Sequence, residues 1–417
     1  MDTEALVHVD LDGQPILAGR LLARTHRDRD SASFDYDEEW LRRPDRFAID
    51  PVLQLGPGPF HTPADKAMFG AIGDSAPDRW GRLLMRRAER RRAERAGETP
   101  RTLREIDYLL MVNDEARQGA LRFALKAGGP FLATDDATPI PPLVELPRLL
   151  SAAENVVGKS DSDEDLRLLL APGSSLGGAR PKTSVRDRDG TLAIAKFPHR
   201  DDEIDTVRWE AVALGLAERA GISVPQCRVG EVAGRSVLLL RRFDRVDGLR
   251  IPFLSAMSML GANDDERRSY LEFVDALRRY GATPKSDMHM LWRRVVFSVL
   301  ISNTDDHLRN HGFLYDGPDG WRLAPAYDLN PVPVDIRPRV LATAIDIDDG
   351  TASLDLALSV AGYFELDDAE ARRIAAEVGL AVRSWRDEAA RVQIAPGEID
   401  RMASAFEHDD LQEALDL

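Results

Sequence analysis

From Glu4 to Arg24 the chain alternates apolar and polar residues, EALVHVDLDGQPILAGRLLAR, around Asp12-Gly13. A period of two describes a strand with one buried face, and Asp-Gly is a two-residue turn, so the stretch predicts a β-hairpin. SFDYDEEWL, residues 33–41, adds a strand and a short helix. From Ala64 the spacing turns helical, and GDSAPDRWGRLLMRRAERRRAERAG predicts a long arginine-rich helix. Pro130, Pro139, Pro141, Pro142 and Pro147 mark residues 131–147 as a linker or irregular crossing, and SDSDED (160–165) reads as a mobile charged loop. Two strand-like runs, 182–185 and 192–197, flank the turn Asp187-Arg188-Asp189-Gly190. A helix follows over about 203–220, stopped by Gly221, and CRVGEVAGRSVLLLRRFD forms two strands turning at Ala233-Gly234. Helical spacing then dominates, over 264–280, 288–301, 353–363, 367–379 and 381–391. No internal repeat interrupts this order. A β-rich middle followed by a helical end predicts an α+β architecture with two lobes.

Composition narrows the class. The 417 residues, 43% hydrophobic and 30% charged, suit a folded protein of two or three domains. Cys227 is the only cysteine, which excludes an intramolecular disulfide and a cysteine-based zinc site and fits a reducing cytoplasm. The acidic start MDTEALVHVDLDG is unlike a signal peptide, and no apolar run reaches membrane-span length, so a cytoplasmic protein without membrane contact is expected. A net charge of −16 argues against a surface that embraces nucleic acid as a whole. Locally, nine arginines lie between Arg82 and Arg104, interleaved with Glu89, Glu94 and Glu98. They form either a solvated helix with internal ion pairs or a contact surface for nucleic acid or an acidic partner.

Four stretches carry candidate chemistry. APGSSLGGARPK (171–182) is rich in small residues that permit close backbone approach to a bulky anion, although a flexible surface loop has the same composition. It lacks both the Gly-Lys-Ser/Thr of a Walker A loop and the dinucleotide-binding glycine pattern. In LAIAKFP, Lys196 interrupts an apolar strand; it is either an edge lysine facing solvent or a cation held over phosphates, with Glu210, or else Glu203, as partner. ISNTDDHLRNHGF (301–313) follows a buried run and spaces Asp305 and Asn310 as D-x-x-x-x-N. Kinase catalytic loops use that spacing for a base and a magnesium ligand. In LAPAYDLNP, Asp328 sits before a chain reversal, where a carboxylate suits a hard cation. His307 and His311, beside Asp305 and Asp306, are either zinc ligands or loop-orienting groups.

Taken in order, SSLGGARPKTSV, AIAKFP, LLLRRFDR, NTDDHLRNHGF and PAYDLNP resemble the HipA family of serine/threonine protein kinases, toxins of type II toxin–antitoxin modules. SFDYDEEWL, SAPDRWGRLL and RQGALRF resemble that family's N-terminal module. The resemblance implies a bilobal protein-kinase-like fold: an N-terminal module over 1–128, a β-rich N-lobe over 129–246 and a helical C-lobe over 247–417. It implies ATP and Mg2+ as cofactors, Asp305 as catalytic base supported by His307, Asn310 and Asp328 as metal ligands, and Lys196 on the α/β-phosphates. Ser174, Ser175, Leu176, Gly177, Gly178, Ala179 and Lys182 would surround the phosphates, with Ser175 autophosphorylated to switch the enzyme off. Arg242, Phe243 and Asp244 would form the hinge, with Asp244 near the ribose. The implied partners are a small helix-turn-helix antitoxin like HipB, which makes most of the contact with operator DNA, and a protein substrate such as an aminoacyl-tRNA synthetase. Against this stand a catalytically silent kinase-fold corepressor, a small-molecule kinase, and a metal-dependent phosphohydrolase built on Asp305, Asp306, His307 and His311.

Overall fold

The computed structural model describes residues 2–133, 140–170, 178–264 and 266–417. They fall into two compact units, one of residues 1–201 with 230–254, the other of 202–229 with 255–417.

The first unit opens with an antiparallel sheet. β1 (Asp2–Leu11) and β2 (Gln14–His26) form the expected hairpin, with Asp12 and Gly13 both at positive φ, as a tight turn of that hand requires. β3 (Arg29–Tyr36), β4 (Phe60–His61) and β5 (Leu121–Ala124) complete the order β4-β3-β2-β1-β5. After β3, Asp37 caps the short helix Glu38–Arg42. The arginine-rich helix runs Arg79–Ala96, between an Asp78 N-cap and Gly97 in the left-handed conformation. It therefore stops short of Arg104, because Gly97 turns the chain and Pro100 follows.

A second antiparallel sheet has the order β6-β7-β9-β8, with β6 Lys182–Arg186, β7 Leu192–Lys196, β8 Cys227–Val232, which enters the unit at Gly230, and β9 Arg235–Arg241. Two helices that pattern reading missed cover it. Leu146–Gly158 starts where a linker was expected, since Pro147 sits in a first turn that needs no amide donor. Asp163–Leu170 takes up the second half of the expected charged loop: its acidic residues occupy the helix N-terminus, and Ser162 and Asp165 exchange hydrogen bonds there. Trp80 and Leu84 of the arginine-rich helix share one core with Leu149, Leu150, Val156, Leu166 and Leu169 and with Val185, Ala195, Phe197, Val237 and Leu239 of the second sheet.

The second unit is mostly helical. Pro284–Leu300 is its central helix, with Leu291, Trp292, Val295, Val296, Val299 and Leu300 all buried. Thr206–Arg219, Tyr270–Tyr280, Leu354–Val360, Asp368–Val382 and Trp385–Arg391 follow the expected order with shifted ends, and a hairpin of Gly312–Tyr315 with Trp321–Leu323 adds a small β element. Among the described residues no helix is long and apolar enough to cross a membrane. The α+β class, β-rich before and helical after, agrees with the sequence.

Candidate functional site

The candidate residues divide between the units. In the second, the central helix ends at Leu300 and the chain turns through Ser302, a non-glycine residue at φ 51°. Left-handed backbone at such a residue costs on the order of 1 kcal/mol and concentrates at functional sites. Ser302 is held there by its hydroxyl donating to the Ala405 carbonyl at 2.9 Å. Asp305, His307 and Asn310 then sit on consecutive tight turns: the His307 amide donates to Asp305 O and the Asn310 amide to His307 O.

Around this loop most side chains are buried; Asp305 is exposed, and His307 and Arg309 are half-buried. The Asp306 side chain is 3% exposed; it is paired with Nε2 of His311 at 2.9 Å and accepts from the Ser298 hydroxyl at 3.2 Å and the Tyr270 hydroxyl. Burial alone would raise its carboxyl, but the charge of His311 and these hydrogen bonds outweigh burial and hold it below the usual range. The Thr343 hydroxyl fixes the Asp306 carbonyl at 2.7 Å. The Asp305 carboxylate, by contrast, is 55% exposed and contacts Nη1 of Arg337 at 2.9 Å. Nδ2 of Asn310 donates to the Asp305 carbonyl at 3.0 Å, while its Oδ1 is buried with no hydrogen-bond partner. Such an orphaned acceptor suits a cation. Nδ1 of His307 is likewise buried without a partner.

Asp328 is brought to the same loop by three hydrogen bonds of its own stretch. The Tyr327 hydroxyl donates to Arg309 O at 2.8 Å, the Asn330 amide to Oδ1 of Asn303 at 3.1 Å, and the Val332 amide to Ser302 O at 3.2 Å. Asp328 itself is half-buried at φ 59°, a conformation that Asp tolerates better than most residues. The zinc alternative finds no such convergence: Asp306 and His311 are spent on each other. Among the described residues no group of three or more His, Cys, Asp or Glu side chains is arranged to hold a metal ion.

In the first unit, Ser174, Ser175, Leu176 and Gly177 lie outside the described residues. Gly178 has φ 90°, and Ala179 is exposed. Lys182 on β6 and Lys196 on β7 are direct cross-strand partners. Like charges at opposed positions repel, so such a pair needs compensation. Asp78 supplies part of it, with Oδ2 3.2 Å from Nζ of Lys182 and both side chains buried. Glu203, the second carboxylate considered for Lys196, bonds Arg401 instead.

The expected hinge has a different character. Asp244 is fully buried; it takes Nε of Arg242 at 2.8 Å, Nη1 of Arg245 at 2.8 Å and the Gly119 amide at 2.8 Å. Arg242 and Arg245 also donate to the Arg117 carbonyl. Arg117, buried in turn, hydrogen-bonds three backbone carbonyls and lies over Phe123. The residues matched to adenine and ribose thus clamp RQGALRF to the end of β9, and the Asp244 carboxylate is committed to that clamp. Phe243 is half-buried, its ring 6.2 Å from that of Phe253.

Two of these residues, Arg337 and Tyr270, carried no sequence signal: they meet their partners across the fold, and no local period marks them. Asn303 and Asn330 lie within NTDDHLRNHGF and PAYDLNP, but nothing in those stretches reports that they bond each other. Asp78 lies within SAPDRWGRLL and reads as an N-cap before a helix, but nothing there reports its contact with Lys182.

Comparison with known proteins gives two family matches: the HipA N-terminal domain over residues 13–116 and the HipA-like C-terminal domain over 174–385. A Sinorhizobium fredii protein, Y4mE, provisionally named a kinase, is 27% identical over 351 residues, covering 75% of each chain. A Haemophilus influenzae protein of the same provisional naming is 24% identical over 136 residues, 29% of this chain and 39% of that one. Among solved structures, the Shewanella oneidensis toxin–antitoxin complex of HipA, HipB and operator DNA matches with a TM-score of 0.68 at 16% identity, over 99% of both chains, a likeness of fold. With family domains matched in both halves and in the same order, the chain belongs to the HipA family.

Proposed function

We propose that the chain is an ATP- and Mg2+-dependent serine/threonine protein kinase, the toxin of a HipA/HipB-type pair. The observation that carries this reading is the exposure of Asp305. Asp306, His311, Tyr270, Ser298 and Asn303 are all buried, and their bonds hold one loop whose solvent-facing carboxylate is Asp305. A chain that spends so many buried polar groups on one accessible base has the form of general base catalysis, in which that carboxylate accepts the acceptor hydroxyl's proton.

Asn310, through its orphaned Oδ1, and Asp328 would hold magnesium. Both offer hard oxygen donors, and two protein ligands leave room for phosphate oxygens and water. When bound, the ion neutralises charge on the nucleotide's β- and γ-phosphates. Lys182 and Lys196, opposed on neighbouring strands, supply positive charge for those phosphates, and Gly178 lets backbone approach them. Asp244 receives no ribose role here. Autophosphorylation at Ser175, or at its neighbour Ser174, would add nearly two negative charges to a site built for phosphate and switch it off. A small helix-turn-helix antitoxin would hold the kinase on operator DNA, as HipB accompanies HipA and DNA in the Shewanella complex. The acceptor class follows the family resemblance, a translation component such as an aminoacyl-tRNA synthetase.

The test is intact-mass and peptide mapping after incubation with ATP and Mg2+. Phosphate on Ser175 or Ser174 in the wild type and none in Asp305→Asn, which should still bind nucleotide, is the expected result. An unmodified wild type, starting unphosphorylated, would overturn the reading. Asp328→Ala should abolish magnesium-dependent nucleotide binding in a calorimetric titration, and undiminished binding would remove that residue from the site. A silent binding partner is the second reading, favoured by the cation of Arg337 already resting on Asp305. It expects no phosphate even in Arg337→Gln.

A further inference from the structure

Lys182 is an unusual lysine. Its side chain is 3% exposed, it faces Lys196 across the strand pair, and a methyl group added at Gly178 would lie 3.1 Å from its ammonium. An ammonium buried beside a second cation needs a fixed counter-charge. That charge comes from 104 residues earlier in the chain. Asp78 is the N-cap of the arginine-rich helix, its Oδ1 accepting the Gly81 amide at 2.8 Å while Oδ2 faces Lys182 at 3.2 Å. One oxygen anchors the carboxylate to a helix end and the other aims it at the lysine. Trp80 and Leu84, on the first two turns of that helix, are locked into the core under β6–β9, so the cap has little freedom to move.

We propose that Asp78 is the positioning residue for Lys182, so that the N-terminal module sets the place of a phosphate-binding ammonium beside Gly178. This rests on the kinase reading, in which Lys182 meets the nucleotide. Asp78 touches no nucleotide in it; the carboxylate acts through the lysine. Burial favours the protonated form of Asp78 and Lys182 opposes it, which is the balance expected of two buried groups that depend on each other.

The test is calorimetric titration of the full chain with Mg·ATP, with thermal melting run in parallel. Asp78→Asn should weaken binding about tenfold, the size of one lost charge-assisted contact. Lys182→Met should weaken it similarly. The double variant should bind no worse than Lys182→Met alone, because a residue that acts only through Lys182 has nothing left to act on. Asp78→Glu, which keeps the charge on a longer arm, should recover part of the affinity and guards against loss of folding in Asp78→Asn. Unchanged affinity in Asp78→Asn, or losses that add in the double variant, would overturn the proposal alone. A wild type that does not bind Mg·ATP would overturn the kinase reading and this proposal with it.

Discussion

Asp244 is a residue whose resemblance-based role and physical setting part company. Its carboxylate is buried among two guanidiniums and the Gly119 amide, and that set leaves it nothing to offer a ribose. Burial pushes its carboxyl up, but Arg242 and Arg245 pull it down further and hold it well below the usual range. A depressed carboxylate contributes stability that is complete above its unfolded value and disappears as pH falls through the folded one. Asp244→Asn should therefore cost about 3 kcal/mol at neutral pH by leaving buried guanidiniums without a counter-charge. The gap to wild type in urea unfolding should be flat above about pH 4 and narrow below it. A gap that widened in acid would mean the carboxylate is protonated in the fold. The same residue shows the reach of motif reading. D-x-x-x-x-N pointed to Asp305 and Asn310 because their spacing is local. The contacts of Asp244 with Gly119, of Asp78 with Lys182 and of Asp305 with Arg337 join residues far apart in the chain, and no period in the sequence reports them.

Elements were legible where turn chemistry or a long apolar period announced them. Asp12-Gly13 and Ala233-Gly234 fix their hairpins through positive φ at both turn residues, and the central helix shows its apolar spacing over many turns. Leu146–Gly158 was hidden by Pro147, a breaker inside a helix but harmless in its first turn. The arginine-rich helix turned out to be paired mainly with other elements. Arg82 bonds Glu105, Arg87 and Arg91 bond Asp161, Arg95 meets Asp163, and beyond the helix Arg104 reaches Asp28. These partners lie outside the helix, which differs from both sequence readings, a solvated helix with its own ion pairs and a contact surface; Arg92 with Glu89 is a pair inside it. Asp161 is the strongest link, since its side chain is buried and takes two guanidiniums just before the helix Asp163–Leu170. Asp161→Ala should lower stability by about 2 kcal/mol, and the exposed pair of Arg95 with Asp163 should yield under about 1 kcal/mol when Asp163 is replaced. Equal losses in chemical denaturation would contradict the distinction drawn from burial.

At the scale of the whole molecule, the family's two matched domains do not coincide with the two compact units. The first unit takes in the N-terminal module, the second sheet through β7, and the return of the chain from Gly230 to Leu254. Trp80 and Leu84 share a core with Val185, Ala195, Val237 and Leu239, and Arg242 and Arg245 donate to carbonyls of residues 116–119. A cut near residue 128 would thus expose one face of that core and leave both arginines buried beside Asp244 without their backbone acceptors in residues 115–119. It would also strip Lys182 of Asp78. Losing an apolar face of several large side chains costs roughly 2–5 kcal/mol for each one deprived of its packing, against a total stability of about 5–15 kcal/mol for a domain. A fragment of residues 129–417 should accordingly show no cooperative melting of its β-rich part and no Mg·ATP binding, even though its matched domain is intact. Calorimetric melting of that fragment beside the full chain is the measurement. A fragment with a sharp transition and wild-type nucleotide affinity would mean that the N-terminal module is an appendage rather than half of the core.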